Sequence, residues 1–418
     1  MTWYNGGVYA QRIEPSGNVS WKADGVPIST APGSVFPRIA TDGAGGAIVT
    51  WSDLRGTMDY DIYAQRVDSE GKVLWAADGV PICTTSCNER CRRIAEDGAG
   101  GAIITWSDDR NGVDCDIYAQ RVDSSGKTLW KVNGVPVCTA DQDQGFPTIA
   151  PDGSGGAIIA WADFRNGTDY CIFAQRVDGS GRALWTTDGV AVCTTPGSQL
   201  PRMTSDGNGG AILAWRDPRN TSNYDIYAQR VDGSGEVSWA ENGIPICTIS
   251  GAKWWPLIAS DEAGGAIVAW RDYRSGTNYD IYAQRVDPSG KPLWNKNGVP
   301  VCVGARNERY HDMAPDGASG ATIVWFDERR AGGDDIYAQR LNAKGEASWK
   351  LNGVTVCTAP EDQLYPNVTP DSDGGVIISW LDFRTSTDYD VYAQKVNADG
   401  SVGPIARGPH EPDPELCK

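Results

Sequence analysis

The sequence predicts an all-β fold, a single β-propeller of four-stranded blades. Tyr-Ala-Gln-Arg and close variants recur at intervals of 54 or 55 residues, and Trp-x-Asp-x-Arg recurs seven times. A further tryptophan also recurs, at Trp21, Trp75, Trp130, Trp185, Trp239, Trp294 and Trp349. Units of this length with several short β-type segments are typical of propeller blades. The rungs of a β-solenoid, the main rival, are much shorter.

Four strands can be read in the first complete unit. Strand A covers 37–41 and ends in a glycine-rich turn whose residues tolerate positive φ. Strand B, 47–51, is almost continuously apolar, as expected of a strand buried on both faces. Strand C covers 61–67, and strand D runs from Leu74 to Cys83. No segment has a helical period.

The blade number follows from counting motifs. Eight strand C motifs but seven A–B pairs predict eight blades, with seven as the alternative, and a ring closed by joining the N- and C-terminal strands. We expect one propeller domain over 1–406 and a C-terminal tail over 407–418. The predicted repeats are 1–35 (partial), 36–90, 91–145, 146–199, 200–254, 255–309, 310–364 and 365–406.

Composition restricts the partners. The net charge is −17, so nucleic acid and anionic membranes are not expected as partners. No apolar run is long enough to span a bilayer. The first residues do not read as a signal peptide. We expect an extracellular or cell-surface protein whose signal has been removed.

The repeat also resembles known propeller families. Trp-x-Asp-x-Arg-x-Gly followed by Asp-Ile-Tyr-Ala-Gln-Arg-Val-Asp is similar to the repeats of TolB-like proteins. The whole unit, with its Asp-Gly-x-Gly-Gly-Ala-Ile hairpin, resembles repeats of large secreted or surface proteins of bacteria. The resemblance covers nearly the whole chain. It implies a surface location and binding, without a defined chemistry.

Variable loops on a rigid scaffold are the usual place for binding sites. The D–A loops differ most between units. One position in them reads Phe36, Cys91, Phe146, Leu200, Trp255, Tyr310 and Tyr365. These side chains either stack on a sugar or peptide or fill the space between neighbouring A strands. The predicted ligand-binding residues are Trp254, Trp255, Tyr310, His311, Tyr365, Phe146, Arg306 and Arg309.

The B–C loops repeat an Asp and an Arg two residues apart. The pairs are Asp53/Arg55, Asp108/Arg110, Asp163/Arg165, Asp217/Arg219, Asp272/Arg274, Asp327/Arg329 and Asp382/Arg384. A ring of arginines is similar to the carboxylate-gripping cluster of sialidase-like propellers. Identical residues in every blade favour structural inter-blade ion pairs instead. Asp59/Asp61, Asp114/Asp116 and Asp388/Asp390 could bind Ca²⁺, but no cofactor is expected. The two histidines, His311 and His410, do not predict a histidine-based site.

Six cysteines fill one repeat position, where the first unit has Ser29. They are Cys83, Cys138, Cys193, Cys247, Cys302 and Cys357, and we expect buried free thiols because equivalent positions are too far apart to bridge. The additional cysteines predict the disulfides Cys87–Cys91 and Cys115–Cys171, which suit an oxidising compartment.

Three functions follow. The leading one is a non-catalytic extracellular scaffold that binds glycan, protein or a second copy of itself through the D–A face. The second is a sialidase-like enzyme acting on glycosides, for which Glu89, Glu308 and Glu361 are the acids that break the repeat. The third is a structural subunit that polymerises through its terminal strands. No catalytic residue and no metal ligand is assigned.

Overall fold

The fold was analysed in a computed structural model that describes residues 1–55, 59–85, 90–220, 223–304, 306–330 and 332–411, without the side chains of 90, 91 and 404–411. The described part contains strands and turns and no helix. Its strands form eight antiparallel sheets, one for each repeat. The protein is an all-β, eight-bladed propeller, which confirms the predicted fold class and the larger of the two blade numbers.

The first sheet has three strands and the others have four, in chain order within each sheet. The first four sheets are β1 (Thr2–Tyr4), β2 (Val8–Ala10), β3 (Val26–Ser29); β4 (Val35–Thr41), β5 (Ala47–Asp53), β6 (Asp61–Val67), β7 (Val80–Cys83); β8 (Arg90–Glu96), β9 (Ala102–Asp108), β10 (Asp116–Val122), β11 (Val135–Cys138); and β12 (Gln144–Pro151), β13 (Ala157–Asp163), β14 (Cys171–Val177), β15 (Val190–Cys193). The last four are β16 (Gln199–Ser205), β17 (Ala211–Asp217), β18 (Asp225–Val231), β19 (Ile244–Cys247); β20 (Lys253–Ser260), β21 (Ala266–Asp272), β22 (Asp280–Val286), β23 (Val299–Cys302); β24 (Glu308–Pro315), β25 (Ala321–Asp327), β26 (Asp335–Leu341), β27 (Val354–Cys357); and β28 (Gln363–Pro370), β29 (Val376–Asp382), β30 (Tyr389–Val396), β31 (Val402–Glu411).

The terminal strands do not share a sheet. β1, β2 and β3 form the first sheet by themselves, while β31 pairs with β30 and completes the eighth. The expected joining of N- and C-terminal strands in one blade is therefore not observed, because the segment after Gly400 supplies the eighth blade with a fourth strand of its own. The first blade lacks strand A. Trp3 pairs with Tyr9 there as Trp380 pairs with Tyr392 in the eighth blade.

The second strand of most blades is the centre of the core. In β5, β9, β13, β17 and β25 all seven residues are buried, and the repeated tryptophan of each is fully buried. Its indole donates to the aspartate two residues later, as from Trp161 Nε1 to Asp163 Oδ2 at 2.7 Å. Burial on both faces explains why this strand has no alternating pattern.

Contacts divide the chain into two compact units. One contains Met1–Gln11, Gly25–Leu213 and Gln229–Gly243, and so holds the first four sheets. The other contains Arg12–Asp24, Ala214–Ala228 and Ile244–Lys418, and holds the last three. The residues of the candidate site described below belong to the second unit.

Candidate functional site

Three segments meet at one edge of the seventh sheet. Glu308 at the start of β24 pairs with Asp327 at the end of β25, and Asp327 pairs with Asp335 at the start of β26. The D–A and B–C loops of this blade therefore lie side by side. The glycine hairpin, between Pro315 and Ala321, is at the opposite edge. This is the arrangement that the repeat predicts.

A β-bulge presents the aromatic position of the D–A segment. The register of β24 with β25 shifts between Arg309 and His311, which leaves Tyr310 outside the ladder. Positive φ recurs at this position, at Phe36, Phe146, Leu200, Trp255, Tyr310 and Tyr365. Large side chains rarely adopt such angles, and this backbone conformation costs about 1 kcal/mol or more. The bulge is a feature of the repeat, and the side chain it carries varies.

In the second unit the bulge residues form a row. Trp255 packs edge-on against Tyr310 with ring centroids 6.5 Å apart, and Tyr310 packs edge-on against Tyr365 at 5.2 Å. Trp255 is 43% exposed and Tyr310 41%. Phe146 occupies the same position in the fourth blade and is 47% exposed. These three side chains therefore do more than fill space between strands, whereas Tyr365 is half-buried.

Two other predicted site residues are packed into the protein. Trp254 is half-buried, with its ring 3.6 Å from the guanidinium carbon of Arg216 and tilted against Tyr224. His311 is 5% exposed, and burial lowers its pKa to about 3, so the imidazole is neutral at physiological pH. Neither side chain is exposed in the way that Trp255 and Tyr310 are, and ligand binding by Trp254 and His311 stays a prediction.

The seventh blade differs from the others in its B–C loop. Three other blades place two aromatic rings there, Phe164–Tyr170, Tyr273–Tyr279 and Phe383–Tyr389, with centroids 4.8–5.2 Å apart. The seventh has Glu328 and Asp334 at these positions, and Arg309 bridges them, with Nη1 3.3 Å from Asp334. Burial raises the pKa of Asp334 to about 6. The loop next to them lines a cavity of about 330 Å³ with Arg306, Arg309, Glu328, Arg330, Gly332, Gly333, Asp334 and Asp362.

A second cavity of about 190 Å³ adjoins this blade. A side chain is missing where other repeats have Ala31, Ala140, Thr195, Ile249 or Ala359, because the position is Gly304 here. A Cβ on Gly304 would lie 2.8 Å from Glu308 Oε1. The cavity is lined by Cys302, Gly304, Arg306, Glu308, Asp327, Arg329 and Asn352. Arg306 lines both cavities, so they are neighbours.

Glu308 is the buried acid of the site. It is 2% exposed, Cys302 Sγ lies 3.4 Å from its Oε1, and its Oε2 is buried without a hydrogen-bond partner. Burial, together with the negative charges of Asp280 and Asp327, raises the pKa of Glu308 to about 8. The carboxyl group is therefore protonated over most of the physiological range.

The third blade also has a glutamate, Glu89, at this repeat position, but in five other blades the position is neutral or cationic. It is occupied by the buried side chains Ser34, Gln144, Ser198, Lys253 and Gln363. Lys253 lies 3.1 Å from Asp225, the residue that corresponds to Asp280. Glu308 thus faces an acid where the preceding blade has an ion pair, and a carboxyl group in such surroundings is a candidate for proton transfer.

The same cluster contains residue types that bind metal ions. Ligand atoms of Cys302, Glu308 and Asp327 lie within 4.8 Å of one another. However, Arg329 Nε is 2.9 and 3.0 Å from the two Asp327 oxygens, and its Nη2 is 3.3 Å from Cys302 Sγ. A guanidinium already holds the carboxylate, and burial raises the pKa of the Cys302 thiol, which disfavours the thiolate that a metal requires. The arrangement suits a proton better than a metal ion.

The repeated Asp–Arg pairs are structural but not inter-blade. Asp163 accepts from Arg165 Nε at 2.8 Å and Nη2 at 2.6 Å within one loop, because residues two apart face each other across the turn. The neighbouring blade is reached by the arginine, whose Nη2 lies 3.3 Å from Cys138 Sγ. The guanidinium also stacks on Phe173 at 3.7 Å. Fully engaged arginines of this kind do not form a carboxylate-binding ring.

The cysteines follow the prediction in part. The six repeat cysteines are buried free thiols, as expected. Cys115 and Cys171 are also free, so the predicted disulfide between them is wrong. Their repeat positions are adjacent, and adjacent residues of a strand point to opposite faces; Cys171 Sγ lies 3.5 Å from Thr194 O instead. The Cys87–Cys91 prediction lies outside the described residues and side chains.

The three acids that break the repeat in the sequence lie in different places. Glu308 is in the site, Glu361 is exposed on the next D–A loop, and Glu89 is outside the described residues. Sequence reasoning did not single out Gly304, Arg271, Glu328 or Asp334. The signal was available for Gly304, where every other repeat has a side chain, and for Asp334, where five repeats have a tyrosine. Asp114 and Asp116 form one of the pairs that could bind Ca²⁺. Both carboxylates accept from Asn111 Nδ2, at 2.6 and 3.1 Å, and a calcium site there stays a prediction.

Comparison with known proteins yields structural likeness alone. No family model matches the chain, and no curated protein matches it. Among solved structures, an ulvan lyase bound to -[GlcA(1-4)Rha3S]- is similar over 96% of this chain and 98% of its own, at 11% identity and a TM-score of 0.51. A Hadza microbial sialidase covers 78% and 71% at 14% identity and a TM-score of 0.40. An α-L-arabinanase of Penicillium chrysogenum, complexed with arabinobiose, covers 72% and 92% at 12% identity and a TM-score of 0.37. No helix long and apolar enough to cross a membrane is found in the described residues. At these identities the likeness is one of fold, and the chain is similar to β-propeller proteins that include glycoside hydrolases and a polysaccharide lyase.

Proposed function

We propose that this protein is a glycan-active enzyme whose site lies on the seventh blade and the adjoining parts of its neighbours. One observation carries the proposal: departures from a closely kept repeat concentrate there. Gly304, His311 and Asp334 have no counterpart of the same residue type in any other repeat, and Glu308 and Arg309 recur only as Glu89 and Arg90 of the third blade. Fold alone would keep equivalent positions alike, so a cluster of exceptions around two cavities indicates a requirement other than folding.

The aromatic row suits a chain of sugars. Sugar rings pack their C–H faces on aromatic side chains, and Trp255 and Tyr310 expose more than two fifths of their surface. Exposed aromatic residues in a contiguous group are typical of a binding surface. The whole-length structural likeness to an ulvan lyase bound to -[GlcA(1-4)Rha3S]- supports a polysaccharide as the ligand.

Glu308 is the proposed proton donor. A general acid must hold its proton at the working pH, and a pKa of about 8 meets that condition. The protonated carboxyl lines the smaller cavity, whose mouth is open at the exposed residues Gly304 and Arg306. Cleavage of a glycosidic bond needs a proton on the leaving oxygen, which this group would supply.

The test is depolymerisation of a panel of neutral and acidic polysaccharides. New reducing ends and unsaturated products are measured separately, because they distinguish hydrolysis from elimination. Glu308→Gln should abolish turnover while binding persists, and Tyr310→Ala should weaken binding. Val132→Ala, which truncates a 78% exposed side chain of the third blade, is the control. Turnover by Glu308→Gln at the wild-type rate would refute the assignment of the acid.

A non-catalytic glycan-binding scaffold is the second candidate. The observation that favours it is the burial of Glu308, together with the ion pairs that hold Asp327. Saturable binding of a polysaccharide without release of any product by the wild-type protein would select this function.

The proposal includes an extracellular location, because a polysaccharide substrate would be encountered outside the cell. The free thiols of Cys115 and Cys171 remove one argument that the sequence offered for it. Fractionation of cells that make the native protein, with the culture medium and surface analysed separately, tests the location.

A further inference from the structure

Two arginines occupy an unusual repeat position, between the tryptophan and the aspartate of Trp-x-Asp. Other blades have Ser52, Ser107, Ala162, Phe326 and Leu381 there. The fifth and sixth have Arg216 and Arg271, and within the described residues neither guanidinium forms an ion pair with a carboxylate. The Nε of each is buried without a hydrogen-bond partner. A desolvated cation without an anion is costly, so each arginine needs an explanation.

Arg216 is explained by its packing. It is 4% exposed, and its guanidinium carbon lies 3.9 Å from the ring centre of Tyr224 and 3.6 Å from that of Trp254. Two aromatic rings lie within 4 Å of the cation, which is a favourable cation–π arrangement.

Arg271 is not closed in this way. Its guanidinium carbon is 4.6 Å from the ring centre of Tyr279, while the ring of Trp255 is 5.9 Å away and that side chain is 43% exposed. Burial, and then the positive charge of Arg309, lower the pKa of Arg271. The acid in its surroundings is Glu308, which is protonated at neutral pH. Arg309 has the carboxylates of Glu328 and Asp334, whereas among the described residues no carboxylate forms an ion pair with Arg271.

We propose that Arg271 binds an acidic substituent, a carboxylate or a sulfate ester, of the glycan that packs on Trp255 and Tyr310. This inference rests on the proposed function and names its substrate class. A guanidinium offers donors in a planar fork that matches either oxyanion, and the anion also relieves the repulsion between Arg271 and Arg309. The protein's net charge of −17 would oppose binding of an acidic polymer elsewhere on its surface.

The test compares the wild type with Arg271→Leu, and Arg216→Leu serves as the matched control. Leucine is found at this repeat position in Leu381, so both variants should fold. Dissociation constants are measured for a polymer of uronic acid without sulfate, a sulfated polymer without carboxyl groups, and the carboxyl-reduced and desulfated form of each. Loss of one charged hydrogen-bonded contact predicts affinity for the acidic polymers lower by about 10- to 100-fold in Arg271→Leu. Neutral polymers should change by less than about twofold.

The two polymer arms show which oxyanion is bound. Equal affinity of the wild type for an acidic polymer and its neutral derivative would overturn the inference and leave the proposed function standing. If no polymer binds, the proposed function fails, and inorganic sulfate and glucuronate decide the inference separately. Either anion should raise the melting temperature of the wild type and of Arg216→Leu but not of Arg271→Leu. An equal rise in all three proteins, or in none, would overturn it.

Discussion

Replacement of Glu308 by glutamine should stabilise the protein, and by an amount that depends on pH. Gln144 and Gln363 occupy the same repeat position, fully buried, and donate from Nε2 to carbonyls of their own D–A loops at 2.8–3.0 Å. The corresponding carbonyls in the seventh blade are those of Gly304 and Arg306, which each accept from Asn278 Nδ2 at 3.1 Å and have a second lone pair for a glutamine amide. Glutamine is therefore already accommodated by this scaffold, whereas glutamate needs a proton to be buried there.

The magnitude follows from the pKa. Folding raises the pKa of Glu308 from 4.5 to about 8. Between those pH values the folded chain keeps the proton and the unfolded chain releases it, so stability falls as pH rises. At about 1.4 kcal/mol per pH unit the loss approaches about 3 kcal/mol at neutral pH and about 5 kcal/mol above the folded pKa, as an upper bound. Glu308→Gln removes this loss, and below the unfolded pKa it should change stability little.

The measurement is urea unfolding of wild type, Glu308→Gln and Glu361→Gln across that pH interval. Glu361 is exposed on the adjacent D–A loop, so its variant should follow the wild type at every pH. Native-state labelling of the Cys302 thiol, which lies against Glu308, reports local opening if global unfolding passes through intermediates. A difference between wild type and Glu308→Gln that is the same at the acidic and the alkaline end would refute the reasoning. Higher stability combined with lost turnover would indicate that the acid is kept for function.

Three other predictions concern residues around this site and in the repeat. Asp163→Ala and Asp272→Ala should each lower the free energy of unfolding by about 3 kcal/mol, because each leaves a tryptophan indole and an arginine without their acceptor. Ligand binding should stay intact, and selective loss of binding at an unchanged melting temperature would contradict this prediction. Trp254→Ala should destabilise the folded protein by about 2 kcal/mol, since Arg216 loses one of the two rings packed against it. Trp255→Ala should lower stability by less than about 1 kcal/mol and should weaken ligand binding. Equal melting temperatures for the two variants would show that Trp254 does not stabilise Arg216. In the native protein, half-buried Cys115 should be alkylated before Cys138, whose thiol is buried and has its pKa raised to about 12 by that burial. Mass spectrometry of the peptides, without reduction, is the measurement. Recovery of either cysteine in a crosslinked peptide would contradict the prediction.

The sequence was sufficient for the blade because each strand follows from a local pattern. The apolar run of strand B, the Asp-Gly turn and the repeated tryptophan specify strand, hairpin and core at every copy. The terminal strands were harder to place. Val402–Glu411 contains two prolines and two glycines, which disfavour a strand by propensity, yet it pairs with β30 because that edge would otherwise be open.

For the candidate site, the repeat indicated one edge of the sheet but not which of its side chains are exposed. Trp254 broke the pattern and so was predicted to bind a ligand, but the side chain that it covers, Arg216, lies 38 positions earlier in the sequence. His311 replaces a proline and is buried for the same kind of reason, packing that depends on a neighbouring strand. The disulfide prediction failed because repeat spacing fixes how far apart two residues are along the strands and says nothing of the faces to which they point.

The comparison of Lys253 with Glu308 shows how repeats separate folding from function. Both side chains begin strand A, both are buried, and each faces an aspartate of the preceding blade, Asp225 or Asp280. Lysine satisfies its aspartate with an ion pair, so the fold has a stable solution for this position. In the next blade the chain instead places a second acid there, leaves one of its oxygens without a partner, and opens a cavity beside it by using glycine at 304. Because the same scaffold accepts lysine, serine and glutamine at this position, folding does not require the glutamate. Its burial is costly, and the simplest reason to keep it is that the proton it holds at neutral pH is used.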